Sequence, residues 1–229
     1  MKTIGLIGGI TWHSTLDYYR LLNEQVQAKL GGVHSAKIIL HSVDFAEIKA
    51  PTLREDWDEI ANIMCRAAKT LETAGADCLV ICANTMHNIA HRVEETISIP
   101  LIHIADAAAR AIDEKGLKKI TLLGTKYTMQ MDFYKERLAA QGISVIIPAE
   151  PDIEFINHSI YEEFGKGIFL PERKQRYLSI IDSLRQQGAA GVVLGCTEIP
   201  ILIKQEDCPV PVFDTSYLHA LAAVEFAVS

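Results

Sequence analysis

Short apolar runs recur along the chain at 3–8, 37–42, 77–82, 119–124, 144–147 and 191–195, with a shorter one at 210–213. Between them lie stretches whose apolar residues return every three or four positions, at 14–30, 56–74, 103–115, 128–141, 171–187 and 215–227. The first set predicts strands and the second helices, because side chains repeat every two residues on a strand and every 3.6 on a helix. The runs are nearly continuous in apolar character, which suits strands of a parallel sheet covered on both faces. Strands and helices alternate throughout, so the expected class is α/β. Gly31, Gly75, Gly116, Gly142 and Gly188 stand where helices should stop, in keeping with the left-handed cap that glycine accepts.

The pattern is duplicated. The run 4–9 opens one half and the run 120–125 the other, and each half later shows a Gly-Ala turn, an apolar run and a polar motif: Cys82-Ala83-Asn84-Thr85 and Gly195-Cys196-Thr197-Glu198. With the turns aligned, Ala83 falls opposite Cys196 and Cys82 falls one residue short. Side chains alternate faces along a strand, so Cys82 should point away from whatever Cys196 faces. Two similar domains are expected, residues 1–98 with 212–229 and residues 99–211, the last helix returning to pack on the first.

Composition narrows the partners. The 229 residues carry a net charge of −7 and are 49% hydrophobic, an ordinary globular balance without a basic patch, which disfavours nucleic acid and an anionic membrane. No apolar stretch approaches the length of a membrane span. The five cysteines lack CxxC spacing, so reduced thiols and a cytoplasmic location are expected rather than a disulfide framework. The first apolar run flows through Gly8-Gly9 into Trp12-His13 and reads as a strand, not a secretory leader.

In parallel α/β sheets, ligands bind beyond the carboxyl ends of the strands. That rule gathers Gly8, Gly9, Thr11 and Ser14 from one loop, Asn84 and Thr85 from another, and Thr125, Thr128, Cys196, Thr197 and Glu198 from the second half. Hydroxyls, amides and helix N-termini of this kind suit a carboxylate, although the same residues also serve as helix caps. Gly5-Leu6-Ile7-Gly8-Gly9 lacks the spacing of a dinucleotide loop. His87 and His91, four apart, read as a polar helix face rather than a metal site, and Cys65 and Cys78 as core fillers. Asp207 should raise the pKa of Cys208 and dull it. Cys196 ends a strand, and a helix beginning at Thr197 should favour its thiolate.

Residues 1–9, His41-Ser42-Val43-Asp44-Phe45, Asn84-Thr85-Met86-His87, Leu123-Gly124-Thr125, Asp132-Phe133-Tyr134, Gly195-Cys196-Thr197-Glu198 and Phe213-Asp214-Thr215 together resemble the cofactor-independent aspartate/glutamate racemase family, over nearly the whole chain. The resemblance implies two domains with pseudo-twofold symmetry, a small amino acid or dicarboxylate held in the cleft between them, and a homodimer. It implies proton transfer at Cα between two opposed cysteines, without pyridoxal phosphate or metal. Cys196 is the second of that pair. Where the family places the first, as Cys or in some relatives Thr, this chain has Ala83. Loss of one acid/base group costs about 10² to 10⁴ in rate. Thr11, Thr52, Arg54, Thr125 and Lys166 match substrate-contacting regions, with Arg54 and Lys166 as partners for a distal carboxylate. His13, Asn88 and Met131 depart from the charged residues of close relatives. The expected function is racemisation of an acidic amino acid such as glutamate or aspartate, impaired or one-directional. The alternatives are a decarboxylase-like lyase using Cys196 alone and a carboxylate-binding protein without catalysis.

Overall fold

The computed structural model describes residues 1–229. In chain order the elements are β1 (Ile4–Gly8), α1 (Trp12–Leu30), β2 (Ile38–Ser42), α2 (Phe45–Leu53), α3 (Trp57–Thr73), β3 (Cys78–Ile81), α4 (Ala90–Thr96) and α5 (Ile104–Glu114). There follow β4 (Lys119–Gly124), α6 (Lys126–Gln130), α7 (Asp132–Ala139), β5 (Ser144–Ile146), α8 (Glu150–His158), α9 (Pro171–Gln186), β6 (Val192–Gly195), α10 (Ile199–Leu202), β7 (Val212–Asp214) and α11 (Thr215–Val228).

The chain forms two compact units, Met1–His103 with His219–Ser229, and Ile104–Leu218. The first holds a parallel sheet in the order β2-β1-β3, extended by a parallel bridge from Leu79 to Leu101. The second holds a parallel sheet in the order β5-β4-β6-β7. Leu101 occupies the place of β7, so both units run second, first, third, fourth strand. This is the expected α/β architecture of two similar helix-flanked sheets. The division falls beyond both expected boundaries: Ile99 and Leu101 pack into the core of the first unit, and β7 pairs with β6 in the second.

The central strands β1, β3, β4 and β6 are buried on both faces, which is why they lack polar alternation. In the first unit Ile7, Leu79 and Ile81 meet Ile60, Met64 and Leu71 of α3, while Leu6, Cys78, Val80 and Cys82 meet Tyr18 and Leu22 of α1 and Ala220, Ala223 and Val224 of α11. In the second, Leu123, Val192 and Leu194 meet α8 and α9, while Ile120, Leu122 and Val193 meet Ile104, Ala108 and Ile112 of α5. Full burial of each such Leu, Ile or Val contributes roughly 1.5–3 kcal/mol. The helix after the fourth strand position of each half thus lines the core of the other unit.

The helix expected over 128–141 is two helices. Met131 takes an extended conformation (φ −71°, ψ 158°) between α6 and α7. No helix is long and apolar enough to cross a membrane.

Candidate active site

Strand register fixes the correspondence between the halves. Ile7 pairs with Ile81 in the first unit, and Leu123 with Leu194 and Gly124 with Gly195 in the second. Cys82 therefore matches Gly195, and Ala83 matches Cys196. Cys82 continues the face of Cys78 and Val80, fully buried, where lost solvation pushes its thiol pKa up. Ala83 lies on the opposite face, packed against the cluster of Leu79 and Ile81. Cys196 likewise shares the face of Val192 and Leu194.

At the end of β6 the Cys196 thiol donates to Glu198 Oε2 at 3.0 Å, and the Thr197 hydroxyl donates to the same oxygen at 2.7 Å. Cys196 is 8% exposed. Burial first, then the charge of Glu198 and its acceptance of the Sγ proton, hold the thiol pKa well above its ordinary value. The backbone amides of Glu198 and Thr197 pull it down more weakly. The resting group is a neutral thiol, contrary to the expected thiolate. The reason is local: the helix begins only at Ile199 and spans four residues, too short for a dipole that offsets burial and an adjacent carboxylate.

The neighbouring strand end supplies Thr125, which caps α6 by accepting from the Thr128 amide at 3.2 Å while the two hydroxyls lie 3.1 Å apart. Tyr161 and Tyr177 add two phenols. Tyr161 belongs to a π-helical turn, Ser159–Glu163, and burial followed by the charges of Cys196, Tyr127 and Glu198 raises its pKa. Nothing in the sequence singled Tyr161 out, since the turn breaks the helical period that would have assigned it a face. Glu163 in the same turn accepts from Arg173 Nε at 2.8 Å, which ties the turn to α9.

In the first unit, Thr11 caps α1, accepting from the Ser14 amide at 3.5 Å, and the Ser14 hydroxyl donates to the Cys82 carbonyl at 3.0 Å. Asn84 and Thr85, both buried, lead into a 3-10 turn, Thr85–Ile89. The structure thus gathers Thr11, Ala83, Asn84 and Thr85 at one pair of strand ends, and Thr125, Thr128, Cys196, Thr197 and Glu198 at the other. The remaining three predicted residues are engaged elsewhere. The buried Thr52 hydroxyl donates to the Ile48 carbonyl at 2.7 Å. Arg54 is exposed, pairs with Glu59 at 2.7 Å, and lines a shallow depression between α2 and α3 with Glu47, Asn62 and Arg66. Lys166 is exposed and pairs with Glu162 at 2.8 Å.

His87 departs from expectation. It is only 2% exposed, its Nδ1 donates to the Ala83 carbonyl at 2.9 Å, and its ring meets His103 and His219 at 4.6 and 5.4 Å between centroids. His91 alone is exposed, because the 3-10 turn before α4 takes the two histidines off a common face. No group of three or more His, Cys, Asp or Glu side chains is arranged to hold a metal ion. Cys65 donates to the Arg92 carbonyl at 3.4 Å, and burial pushes Cys78 up to about 12. Cys208 is raised as expected, with burial ahead of Asp207 as the cause.

Two parallel-sheet units of one strand order, with small polar loops at matched strand ends and a thiol at one of them, are features of a single class. The chain belongs to the Asp/Glu/hydantoin racemase family, whose family model matches residues 7–223. That membership makes it an isomerase of the racemase type. Among solved structures, a candidate Asp/Glu racemase from Yersinia pestis matches with a TM-score of 0.94 at 48% identity, 100% of each chain being covered. An aspartate racemase homologue from Pyrococcus horikoshii OT3 matches with a TM-score of 0.88 at 38% identity, again over 100% of both chains. The broad specificity amino-acid racemase RacX of Bacillus subtilis (strain 168) is 25% identical over 172 residues, 74% of this chain and 73% of that protein.

Proposed function

We propose that the chain transfers the Cα proton of an acidic amino acid such as glutamate or aspartate, without pyridoxal phosphate or metal, and that Cys196 is its only thiol acid/base. The observation that carries this reading is the Cys196–Glu198 hydrogen bond at a strand end whose counterpart presents the methyl group of Ala83. Glu198, which accepts the S–H hydrogen bond, takes the thiol proton and releases it to solvent. The Cys196 thiolate so formed takes the α-proton, and the electron pair left on Cα is delocalised into the α-carboxylate, which amides of Asn84, Thr85 and Thr197 stabilise. The new S–H bond returns its proton to the same face, or passes it to Glu198 and so to solvent.

Protonation of the opposite face falls to water, because a methyl group has no proton to exchange. Exchange with retention therefore outpaces inversion. The missing group slows racemisation by about 10² to 10⁴, equivalent to roughly 3–5 kcal/mol of barrier. The acidic substrate is supported by the names of the relatives, which include glutamate racemases and an aspartate racemase homologue.

Deuterium incorporation at Cα of L- and D-glutamate and of L- and D-aspartate tests the proposal. The unsubstituted chain should incorporate label faster than it inverts, Ala83→Cys should raise inversion by about 10² or more, and Cys196→Ala should abolish both. An Ala83→Cys protein that exchanges none of these amino acids overturns the reading.

A further inference from the structure

We infer that His87 is a positioning residue, which sets the peptide joining Ala83 to Asn84 and thereby aims the Asn84 backbone N–H at the substrate carboxylate. The inference rests on the reaction proposed above. A carbonyl oxygen only accepts, so the 2.9 Å contact with Ala83 fixes His87 as the tautomer with its proton on Nδ1. The peptide unit is planar and trans. Holding its C=O on the imidazole therefore directs the Asn84 N–H the opposite way, out of the histidine cluster.

The imidazole is itself braced. Its ring meets His103 and His219 edge-on at 4.6 and 5.4 Å. His219 is held at both nitrogens: Nε2 donates to the Ile102 carbonyl at 2.6 Å, and Nδ1 accepts from the Tyr18 hydroxyl at 2.7 Å. His103 and His219 are the residues at which the chain leaves this unit and re-enters it. The cluster is thereby anchored to α1 and to both crossing points of the chain. Four buried polar rings are a costly way to fill space that apolar side chains could fill, unless their bonded geometry is used.

The second unit has no such cluster. Pro200 stands four residues after Cys196, where His87 stands four after Ala83. There the Thr215 hydroxyl donates to the Leu194 carbonyl at 2.8 Å. The imidazole belongs to the half that lacks an acid/base side chain and must act through its backbone.

Two polar variants separate positioning from packing. Asn places its amide nitrogen where His87 Nδ1 lies, whereas Gln moves it to the place of Nε2. Deuterium exchange into L-aspartate and L-glutamate should fall tenfold or more in kcat for His87→Gln and recover to within threefold for His87→Asn. Equal rates in all three proteins, or equal losses in both variants, overturn the inference. The ¹⁵N–¹H resonance of Asn84 gives a readout independent of turnover: it should move in His87→Gln and return in His87→Asn. A resonance unmoved in His87→Gln overturns the positioning role even if no protein of the set exchanges label. A resonance that behaves as expected in an inactive set upholds His87's hold on the peptide, and it is the proposed reaction that fails.

Discussion

Glu198 accepts hydrogen bonds from both Cys196 and Thr197, and its negative charge opposes a thiolate on the sulfur beside it. Glu198→Gln removes that charge while leaving an amide oxygen as acceptor. The thiol pKa should then fall, so the pH at which iodoacetamide alkylates Cys196 at half its maximal rate should move downward. Exchange at Cα should slow in the same variant, because the group that passes the sulfur's proton to solvent is gone. A profile that stays put, or moves upward, contradicts the assignment. Cys196 is legible in the sequence from its place at a strand end. The sign of its pKa shift is not, because it depends first on how deeply the tertiary packing buries the sulfur and then on the side-chain rotamer of Glu198. His87 was hidden for a related reason: a 3-10 turn instead of an α-helix decides which way its ring points, and periodicity does not distinguish the two.

Among the elements, the turn from β1 into α1 is the most tightly specified. Gly9 has φ of 85°, a conformation that residues with a Cβ rarely adopt, and a Cβ there would lie 2.0 Å from the Val43 carbonyl oxygen. Its amide donates to the Thr15 hydroxyl at 2.8 Å, which joins the strand end to the first turn of α1. Gly9→Ala should therefore destabilise the protein by at least the 1–3 kcal/mol that backbone strain alone costs. Urea denaturation would show this as a lower midpoint, and an unchanged midpoint would mean the turn relaxes freely. All seven strands were readable from apolar runs, and α1, α3, α5, α9 and α11 from their periods. Short helices were not: α2 carries Pro51 within it, and α8 spans nine residues beginning Glu150-Pro151, too few turns to establish a period.

At the scale of the whole molecule, the buried His219 sets a limit on acid stability. His219 is fully buried and meets Tyr18, His87 and the Ile102 carbonyl, with no carboxylate among these neighbours. Burial lowers its pKa to about 4 from 6.5, against a smaller opposing effect of its bond to Ile102. A depressed histidine contributes fully above the unfolded value. As the pH falls from about 6.5 towards 4, the unfolded chain binds a proton that the folded one refuses, and about 3 kcal/mol is lost. Unfolding free energies at pH 7 and pH 4.5 should differ in that direction, and His219→Gln should flatten the difference. The duplicated architecture was legible because both halves repeat the same order of runs and turns. The positions of the unit boundaries were not, because they depend on where Leu101 and β7 find sheet partners rather than on any break in composition.

Ala220, Ala223 and Val224 of α11 fill the core of the unit that begins the chain, while Ile104, Ala108 and Ile112 of α5 fill that of the unit that follows. Neither repeat can be cut free intact, since each would leave behind a wall that its sibling supplies. Either repeat made alone would face water with an apolar surface that only the other's terminal helix covers.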